Sequence, residues 1–186
     1  DENPVLGKIT IADHEITVTA QRDPKKIPWA SFEIDVVVEA TGVFNTEEKA
    51  SAHLDAGAKK VLLTAPSKGG NVSTSVIGVN EADHSAKVYS NASCTTNCVA
   101  PVAQIMTTLF GVEKAMLTTI HSYTDGQNTL DNSHKDMRRA RSAAENIIPT
   151  TTGAAKATTQ IIPELEGIFD GIAIRVPTPT GSLSDM

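Results

Sequence analysis

The sequence predicts an α/β fold for its N-terminal half, with parallel strands joined by a crossover helix. Residues 35–40 form a continuous, mostly β-branched run, which is typical of a strand buried on both faces of a parallel sheet. A predicted helix at residues 48–54 and a predicted strand at residues 60–64 follow it. Strand, helix and strand at this spacing indicate a right-handed parallel crossover unit.

The remaining elements of this half follow from alternation and from turn and cap residues. Residues 8–11 and 15–19 alternate in polarity on either side of a short polar turn, so they predict a hairpin with His14 in its turn. Thr46 is placed to cap the helix and Gly57 to end it. Residues 87–89 predict a further buried strand.

Composition limits the class of protein. The chain has 186 residues, a formal net charge of −6 and 40% hydrophobic residues, as expected for a globular protein of one or two domains. Neither a membrane-length apolar run nor a signal peptide pattern is present, which predicts a cytoplasmic protein without a membrane partner. Two cysteines argue against a disulfide framework, and the acidic balance gives no indication of nucleic-acid binding.

The most informative cysteine lies between a predicted strand and a predicted helix. Residues 99–111 have apolar side chains at helical spacing, and Cys94 precedes them directly after the strand. The free N–H groups and positive dipole of a helix start favour a thiolate there, so Cys94 is a candidate nucleophile. For Cys98, one turn further on, a buried structural thiol is the favoured interpretation. A disulfide between the two cysteines is disfavoured by helical geometry.

A histidine follows the next predicted strand. Residues 112–120 would deliver His121 at the strand end, and side-by-side packing with the helix would bring its imidazole to the thiol. A histidine that merely ends a strand is the alternative. We assign no role to His53, His84 or His134.

Two further positions suit anions. Thr150 to Gly153 form a hydroxyl-rich turn that opens a predicted helix at 154–162, where free N–H groups can hold a phosphate oxygen or the threonines can simply cap. Arg175 ends a predicted strand at 171–174 and can bind phosphate through two N–H groups. Two such sites suit a phosphorylated substrate and inorganic phosphate. The polar segment 123–146 carries three arginines that, by charge alone, fit a solvated face or an anion or nucleic-acid patch.

Five blocks of the chain resemble the phosphorylating glyceraldehyde-3-phosphate dehydrogenases, in the order and spacing of that family. The blocks are SNASCTTNC at 90–98, HSYT at 121–124, RRARSAA at 138–144, IPTTTGAAKA at 148–157 and RVPTP at 175–179. The resemblance implies a partial α/β cofactor-binding domain of Rossmann type at residues 1–93. It implies a partial α+β catalytic domain with a mostly antiparallel sheet at residues 94–186.

The same resemblance implies roles for individual residues. Cys94 would attack the aldehyde and His121 would be its base, with NAD or NADP as cofactor and a thiohemiacetal and a thioester as intermediates leading to 1,3-bisphosphoglycerate. Arg138, Arg139 and Arg141 would be interface and structural residues of a homotetramer. The implied substrate and phosphate contacts are Ser93, Thr95, Thr124, Thr152, Gly153 and Arg175, and the implied cofactor contacts are Thr41, Gly42, Phe44, Thr64 and Ala65.

Three features depart from the pattern of the family. Asp125 and Gly126 stand where Asn-Asp is frequent, which weakens a side-chain contact from position 126. Asn132 and Ser133 replace a Leu-Pro pair that is frequent in NAD-preferring members, so NAD is favoured only because most of the family uses it. The far C-terminal portion of the family, which the resemblance implies would supply a carboxamide contact to the nicotinamide, is missing from the sequence. Together with the absence of an initial Met and of a Gly-rich phosphate turn, this predicts an internal fragment, inactive by itself, with that turn upstream.

Other functions compete with this one. The related erythrose-4-phosphate dehydrogenases share the cysteine signature but resemble the chain less at Tyr123 and Thr124. A cysteine hydrolase would also use Cys94 and His121, but it needs no pair of phosphate sites. A binding or surface-adhesion protein could keep the fold without turnover.

Overall fold

The first element of the chain is a two-stranded hairpin. A computed structural model describes residues 4–186. In it β1 (Val5–Ile11) pairs antiparallel with β2 (His14–Thr19), which confirms the predicted hairpin. The turn consists of Ala12 and Asp13, both at positive φ. His14 is therefore the first residue of β2, paired with Ile11, and its predicted place in the turn is wrong.

The described residues form two compact units. The first contains residues up to 74 together with 82–91, and the second contains residues 75–81 and 92–186. The second unit thus begins two residues before the predicted boundary at 93/94 and also takes in a short upstream segment.

Parallel strands form the sheet of the first unit. Its order is β3 (Val36–Glu39), β4 (Lys60–Leu63), β6 (Val88–Ser90) and β5 (Ser73–Thr74), and each neighbouring pair is parallel. Helix α1 (Glu47–Asp55) connects β3 to β4, as predicted. Thr46 Oγ1 accepts a hydrogen bond from the Lys49 amide at 3.3 Å, which confirms the predicted cap.

Strand β3 is buried on one face only, which corrects the sequence prediction. Val37 and Glu39 are buried, whereas Val36 and Val38 are 48% and 59% exposed. In the described chain β3 lies at the edge of its sheet. A run of β-branched residues favours a strand, but it does not show whether one or both faces of that strand are buried.

The second unit is built on a mixed sheet. Its order is β10 (Ser182–Asp185), β7 (Ala115–Ser122), β9 (Phe169–Val176) and β8 (Ile148–Thr151). β7 and β9 are parallel, and the two outer pairings are antiparallel. His121 and Arg175 are the penultimate residues of β7 and β9, so each lies at the end of its strand as predicted, although both strands continue one residue further.

The helices of this unit are α2 (Cys94–Phe110) and α3 (Ala154–Ile161), which pack against each other. On α2 the buried face consists of small or short side chains, Thr96, Val99, Ala100 and Ala103 among them. The larger apolar residues that predicted the helix are exposed in this unit, apart from Val99: Val102, Ile105, Met106 and Leu109.

Strands β7 and β9 lie close together at Gly171. A Cβ atom placed there would lie 2.9 Å from both Cβ and the carbonyl oxygen of Leu117, which is buried. The absence of a side chain at this position therefore permits the close pairing that continues to His121 and Arg175.

Candidate active site

Helix α2 places Cys94 at its first residue. The preceding Ser93 is the N-cap, and its Oγ accepts from the Thr96 amide at 3.1 Å. Ala92 before it is buried and has φ +55°, a conformation that residues with a Cβ rarely adopt. The thiol of Cys94 is exposed at the helix start, where N–H groups have no partner within the helix. This is the strand-to-helix position that the sequence predicts.

The imidazole of His121 meets this thiol. Cys94 Sγ lies 3.4 Å from His121 Nε2, although the two residues are 27 positions apart in the chain. His121 itself is 8% exposed. The predicted juxtaposition of thiol and histidine is thus present in the structure, with geometry suited to proton transfer between sulfur and nitrogen.

Arg175 lies on the opposite side of the imidazole. Its Nη1 is 2.8 Å from His121 Nδ1 and 2.8 Å from the Ser122 carbonyl oxygen, to which it donates. The Ser122 carbonyl oxygen also lies 2.8 Å from His121 Nδ1, so a neutral His121 can donate from Nδ1 to that carbonyl and keep Nε2, which faces Cys94, free to accept a proton. When the ring is doubly protonated, Nδ1 can donate to the Ser122 carbonyl, 2.8 Å away.

The electrostatics of Arg175 reflect a concentration of positive charge. Partial burial lowers the pKa of its guanidinium, the neighbouring charge of Arg139 lowers it further, and the charge of a Cys94 thiolate acts in the opposite direction. Arginine stays charged at any physiological pH. The corner beside His121 therefore favours an anion, which would relieve the repulsion between the two guanidinium groups.

Arg139 differs from the two other arginines of its segment. Its Nε donates to Thr150 Oγ1 at 3.1 Å. A Cβ on Gly126 would lie 3.9 Å from Arg139 Nη1 and 3.8 Å from Thr124 Oγ1, so the guanidinium and that hydroxyl flank one point. The side chains of Arg138 and Arg141 are more than half exposed and pair closely with Asp136 and Asp131, at 3.0 Å and 2.9 Å, whereas Arg139 Nε lies 3.9 Å from Asp136.

Sequence reasoning grouped the three arginines and therefore missed Arg139 as a site residue. Only its contact with Thr150 of β8 distinguishes Arg139 from Arg138 and Arg141.

The other predicted phosphate contacts occupy helix starts or exposed loops. Gly153 is the N-cap of α3, and the preceding Thr152 accepts through Oγ1 from the amide of Ala154, the first residue of the helix, at 3.1 Å. Gly153 is exposed, and the space where its Cβ would lie is open. Thr124 is exposed as well, whereas Thr95 is buried. The threonine turn thus keeps both of the uses that the sequence allows, capping and anion binding.

The predicted cofactor contacts lie in the first unit, at the carboxyl ends of two paired strands. Thr41 and Gly42 follow β3, and Thr64 and Ala65 follow β4, which lies directly beside it. Thr41, Gly42 and Thr64 are exposed. Gly42 has φ +72° with nothing within 4 Å of a built Cβ, so its backbone is open to a ligand. This edge fits a nicotinamide dinucleotide, which binds at strand ends of open parallel sheets.

A buried polar cluster, which the sequence did not predict, lies directly behind this edge. Glu39 and His53 are 4% and 5% exposed, and Glu39 Oε2 lies 3.0 Å from His53 Nε2. Burial acts to raise the pKa of the Glu39 carboxyl, but hydrogen bonds from Thr41 and His53 outweigh it and hold that pKa below its ordinary value. Glu39 is therefore ionised at neutral pH.

Cys98 requires a correction. It is exposed, so its assignment as a buried structural thiol is wrong. Both cysteines are free in the structure, and any thiol reagent has two potential targets in this chain. Within residues 4–186, no helix is both long and apolar enough to cross a membrane.

The features of the second unit define a class of site, a thiol paired with an imidazole beside two arginines. Comparison with known proteins identifies the family. Residues 93–186 match the family model described as "Glyceraldehyde 3-phosphate dehydrogenase, C-terminal domain", and residues 3–47 match the corresponding "NAD binding domain". The chain belongs to the glyceraldehyde 3-phosphate dehydrogenase family.

Curated relatives agree with this assignment. The chain is 50% identical over 186 residues to glyceraldehyde-3-phosphate dehydrogenase 2 of Staphylococcus aureus (strain Mu50), covering 98% of this chain and 54% of that protein. It is 53% identical over 182 residues to the chloroplastic glyceraldehyde-3-phosphate dehydrogenase A of Scenedesmus vacuolatus, covering 97% and 58%. The chain thus spans somewhat more than half the length of the curated relatives it matches.

Proposed function

We propose that the complete protein containing this chain is a phosphorylating glyceraldehyde-3-phosphate dehydrogenase of glycolysis. It would oxidise glyceraldehyde 3-phosphate and join the product to inorganic phosphate, which gives 1,3-bisphosphoglycerate. The observation that carries the proposal is the 3.4 Å approach of Cys94 Sγ to His121 Nε2 at the start of a helix. Membership in the family supports the same activity.

Cys94 is the nucleophile in this mechanism. Its thiolate, favoured by the helix start and by a protonated His121, adds to the aldehyde carbon, the carbonyl oxygen takes the Nε2 proton of His121, and a thiohemiacetal and a neutral imidazole result. The Cys94 amide and the imidazole stabilise the oxygen of the tetrahedral species. His121 then takes the hydroxyl proton as the C–H hydride leaves, and a thioester remains on the sulfur.

Phosphate completes the cycle. Inorganic phosphate, held by Ser93, Thr95, Thr152 and Gly153, attacks the thioester carbon and releases the acyl phosphate, and the sulfur leaves as thiolate. Thr124 and Arg175 hold the phosphate of the substrate. Arg139 adds charge to the same region, since its guanidinium lies beside Thr124 and acts on Arg175.

The cofactor is NAD in this proposal. Bound nicotinamide dinucleotide supplies the hydride acceptor for the oxidation. The match to an NAD binding domain model supports it, and Thr41, Gly42, Phe44, Thr64 and Ala65 would hold it. NADP is the alternative cofactor, because Asn132 and Ser133 stand in place of the Leu-Pro pair that is frequent in NAD-preferring members.

The proposal extends to the assembly and the location of the protein. The complete catalytic domain would carry a mostly antiparallel sheet, and the domain boundary would fall between residues 93 and 94. The protein would act in the cytoplasm as a homotetramer, with Arg138 and Arg141 on the loop that faces a neighbouring subunit. Their exposure suits this role.

The test is phosphate-dependent reduction of NAD, and separately of NADP, by the complete protein with glyceraldehyde 3-phosphate. Activity is measured before and after treatment with iodoacetamide. Because Cys98 is also exposed, the Cys98→Ser variant is the matched control: it should be active and should lose activity on alkylation. Cys94→Ser should lose at least about a thousandfold in kcat while it keeps its fold, since the nucleophile is removed from an exposed position.

Two outcomes contradict the proposal. Activity of Cys98→Ser that survives alkylation would exclude an acyl-enzyme on Cys94. Release of a carboxylic acid without dinucleotide reduction would favour the cysteine hydrolase instead.

A further inference from the structure

The partly buried Trp29 and the buried His53 and Glu39 of the first unit form a directed chain of hydrogen bonds. Trp29 Nε1 lies 3.1 Å from His53 Nδ1. The indole can only donate, so Nδ1 accepts and the ring proton of His53 is on Nε2. That Nε2–H donates to Glu39 Oε2 at 3.0 Å. The tautomer of His53 is thus fixed by its two partners.

The other carboxylate oxygen of Glu39 is bonded to the turn after β3. Glu39 Oε1 accepts from the Thr41 amide at 2.8 Å and from the Thr41 hydroxyl. The Thr41 hydroxyl oxygen accepts in turn from the Val43 amide at 3.1 Å. Asn45 Nδ2 donates to the Gly42 carbonyl at 3.1 Å. Hydrogen bonds with the buried Glu39 and Asn45 therefore fix the backbone of the turn, while Thr41 and Gly42 themselves remain exposed.

The same two residues also contact the rest of the predicted cofactor edge. The ring of Phe44 meets that of His53 edge to face, with centroids 6.0 Å apart. The Glu39 carbonyl accepts from the Thr64 amide at 3.1 Å and from the Thr64 hydroxyl at 3.2 Å. Glu39 and His53 thus join Thr41, Phe44 and Thr64, which come from two different strand ends.

The position of this network argues for more than stability. An ionised carboxylate buried in a protein is costly, and an apolar pair of similar volume is often as stable or more stable. A buried polar network instead fixes one arrangement of the groups it binds, since each donor and acceptor needs its own partner. Here the groups it fixes are those that would contact the dinucleotide.

We propose that Glu39 and His53 are positioning residues for the dinucleotide, and this rests on the proposed function. They hold the Thr41–Gly42 turn and the Phe44 ring in the arrangement that binds the cofactor, without touching the reacting atoms. Disturbing the pair should weaken dinucleotide binding and leave the chemical step unchanged, so KM for NAD rises while kcat at saturation stays the same.

The experiment compares three variants of the complete protein. His53→Phe keeps the ring but leaves Glu39 and Trp29 without their bonds, and His53→Gln keeps a donor toward Glu39. His84→Gln changes an exposed histidine of the same unit as the matched control. The readouts are the dissociation constant for NAD by calorimetry, KM and kcat, and the unfolding temperature without cofactor.

We expect His53→Phe to weaken NAD binding by about tenfold with kcat within about twofold of the unaltered protein. His53→Gln should stay within about threefold in NAD affinity, and His84→Gln should equal the unaltered protein. If His53→Phe gives no cooperative unfolding transition, Glu39→Gln, which keeps the shape of the carboxylate, takes its place with the same expectation.

The positioning role is overturned if the disturbed variant binds NAD as tightly as the unaltered protein, or if only kcat falls. It is also overturned if His53→Gln is as impaired as His53→Phe. An unaltered protein that binds NAD but reduces none in the presence of phosphate contradicts the proposed function alone, because the dissociation constants still test the positioning role. An unaltered protein that binds neither NAD nor NADP contradicts both.

Discussion

His121 and His53 are both nearly buried and both have polar atoms at each ring nitrogen, yet their surroundings differ in kind. The side chains that bond to His53 are those of the partly buried Trp29 and the buried Glu39, and the Glu39 carboxylate bonds onward to the turn after β3. The partners of His121 are an exposed thiol and an arginine that faces a second arginine. The hydrogen bonds around His53 hold the neighbouring turn in place. The exposed thiol beside His121 can react with a substrate, and the two arginines can bind an anionic group.

The strongest test of this contrast is His121→Asn. Asparagine cannot accept the hydroxyl proton, so kcat should fall by a factor of about 10² to 10⁴. Loss of the imidazolium should also slow the reaction of Cys94 with iodoacetamide, measured in the Cys98→Ser background. His84→Asn is the control. If His121→Asn kept its kcat, the two histidines would not differ as proposed.

Arg139→Gln sharpens the comparison at the anion-binding side. The variant keeps a donor near Thr150 but loses the charge beside Thr124 and Arg175, so KM for glyceraldehyde 3-phosphate should rise about tenfold. Arg138→Gln, which removes an exposed partner of Asp136, should stay within about twofold because exposed ion pairs contribute little. Equal effects of the two substitutions would contradict a special role for Arg139, which would then be an interface or structural residue like Arg138, as the sequence suggests.

The smallest expected effect concerns the pH dependence of stability at Glu39. Its pKa in the folded protein is lowered, so its stabilising contribution is complete above the unfolded value near 4.5 and is lost as pH falls through the lower folded value. Glu39→Gln should therefore cost about 1–3 kcal/mol of unfolding free energy at pH 7. The gap from the unaltered protein should shrink below about pH 4.5. Urea unfolding at pH 7, 5 and 3.5 measures it, and a gap that widens on acidification would contradict the assignment.

Local patterns predicted most elements and the reactive pair, because each depends on neighbours in the chain. The cap at Thr46 and the placement of Cys94 at a helix start are of this kind. The pairing with His121 followed from the resemblance and from the assumption that helix and strand pack together. Its distance of 3.4 Å could come only from the structure.

The errors arise where distant segments decide the environment. His53 lies on a helix whose pattern gives it no role, and only the packing of α1 on the sheet, against β4 and β6, brings it to Glu39, 14 residues away. The apolar stripe of α2 predicted the helix but not its buried face, since α3 packs on the smaller residues. Arg139 shares its charge and segment with Arg138, and only its approach to β8 sets it apart.

Gly171 shows how the reactive centre depends on backbone spacing far from any functional group. The parallel register pairs Leu117 with Gly171 and, four residues later, His121 with Arg175. Any side chain at 171 would meet the backbone of β7 at 2.9 Å, so one of the two strands would have to shift. The imidazole and the guanidinium are carried on those strands and would shift with them. The missing Cβ at position 171 thus helps to fix the spacing of His121 and Arg175, although Gly171 contacts neither side chain.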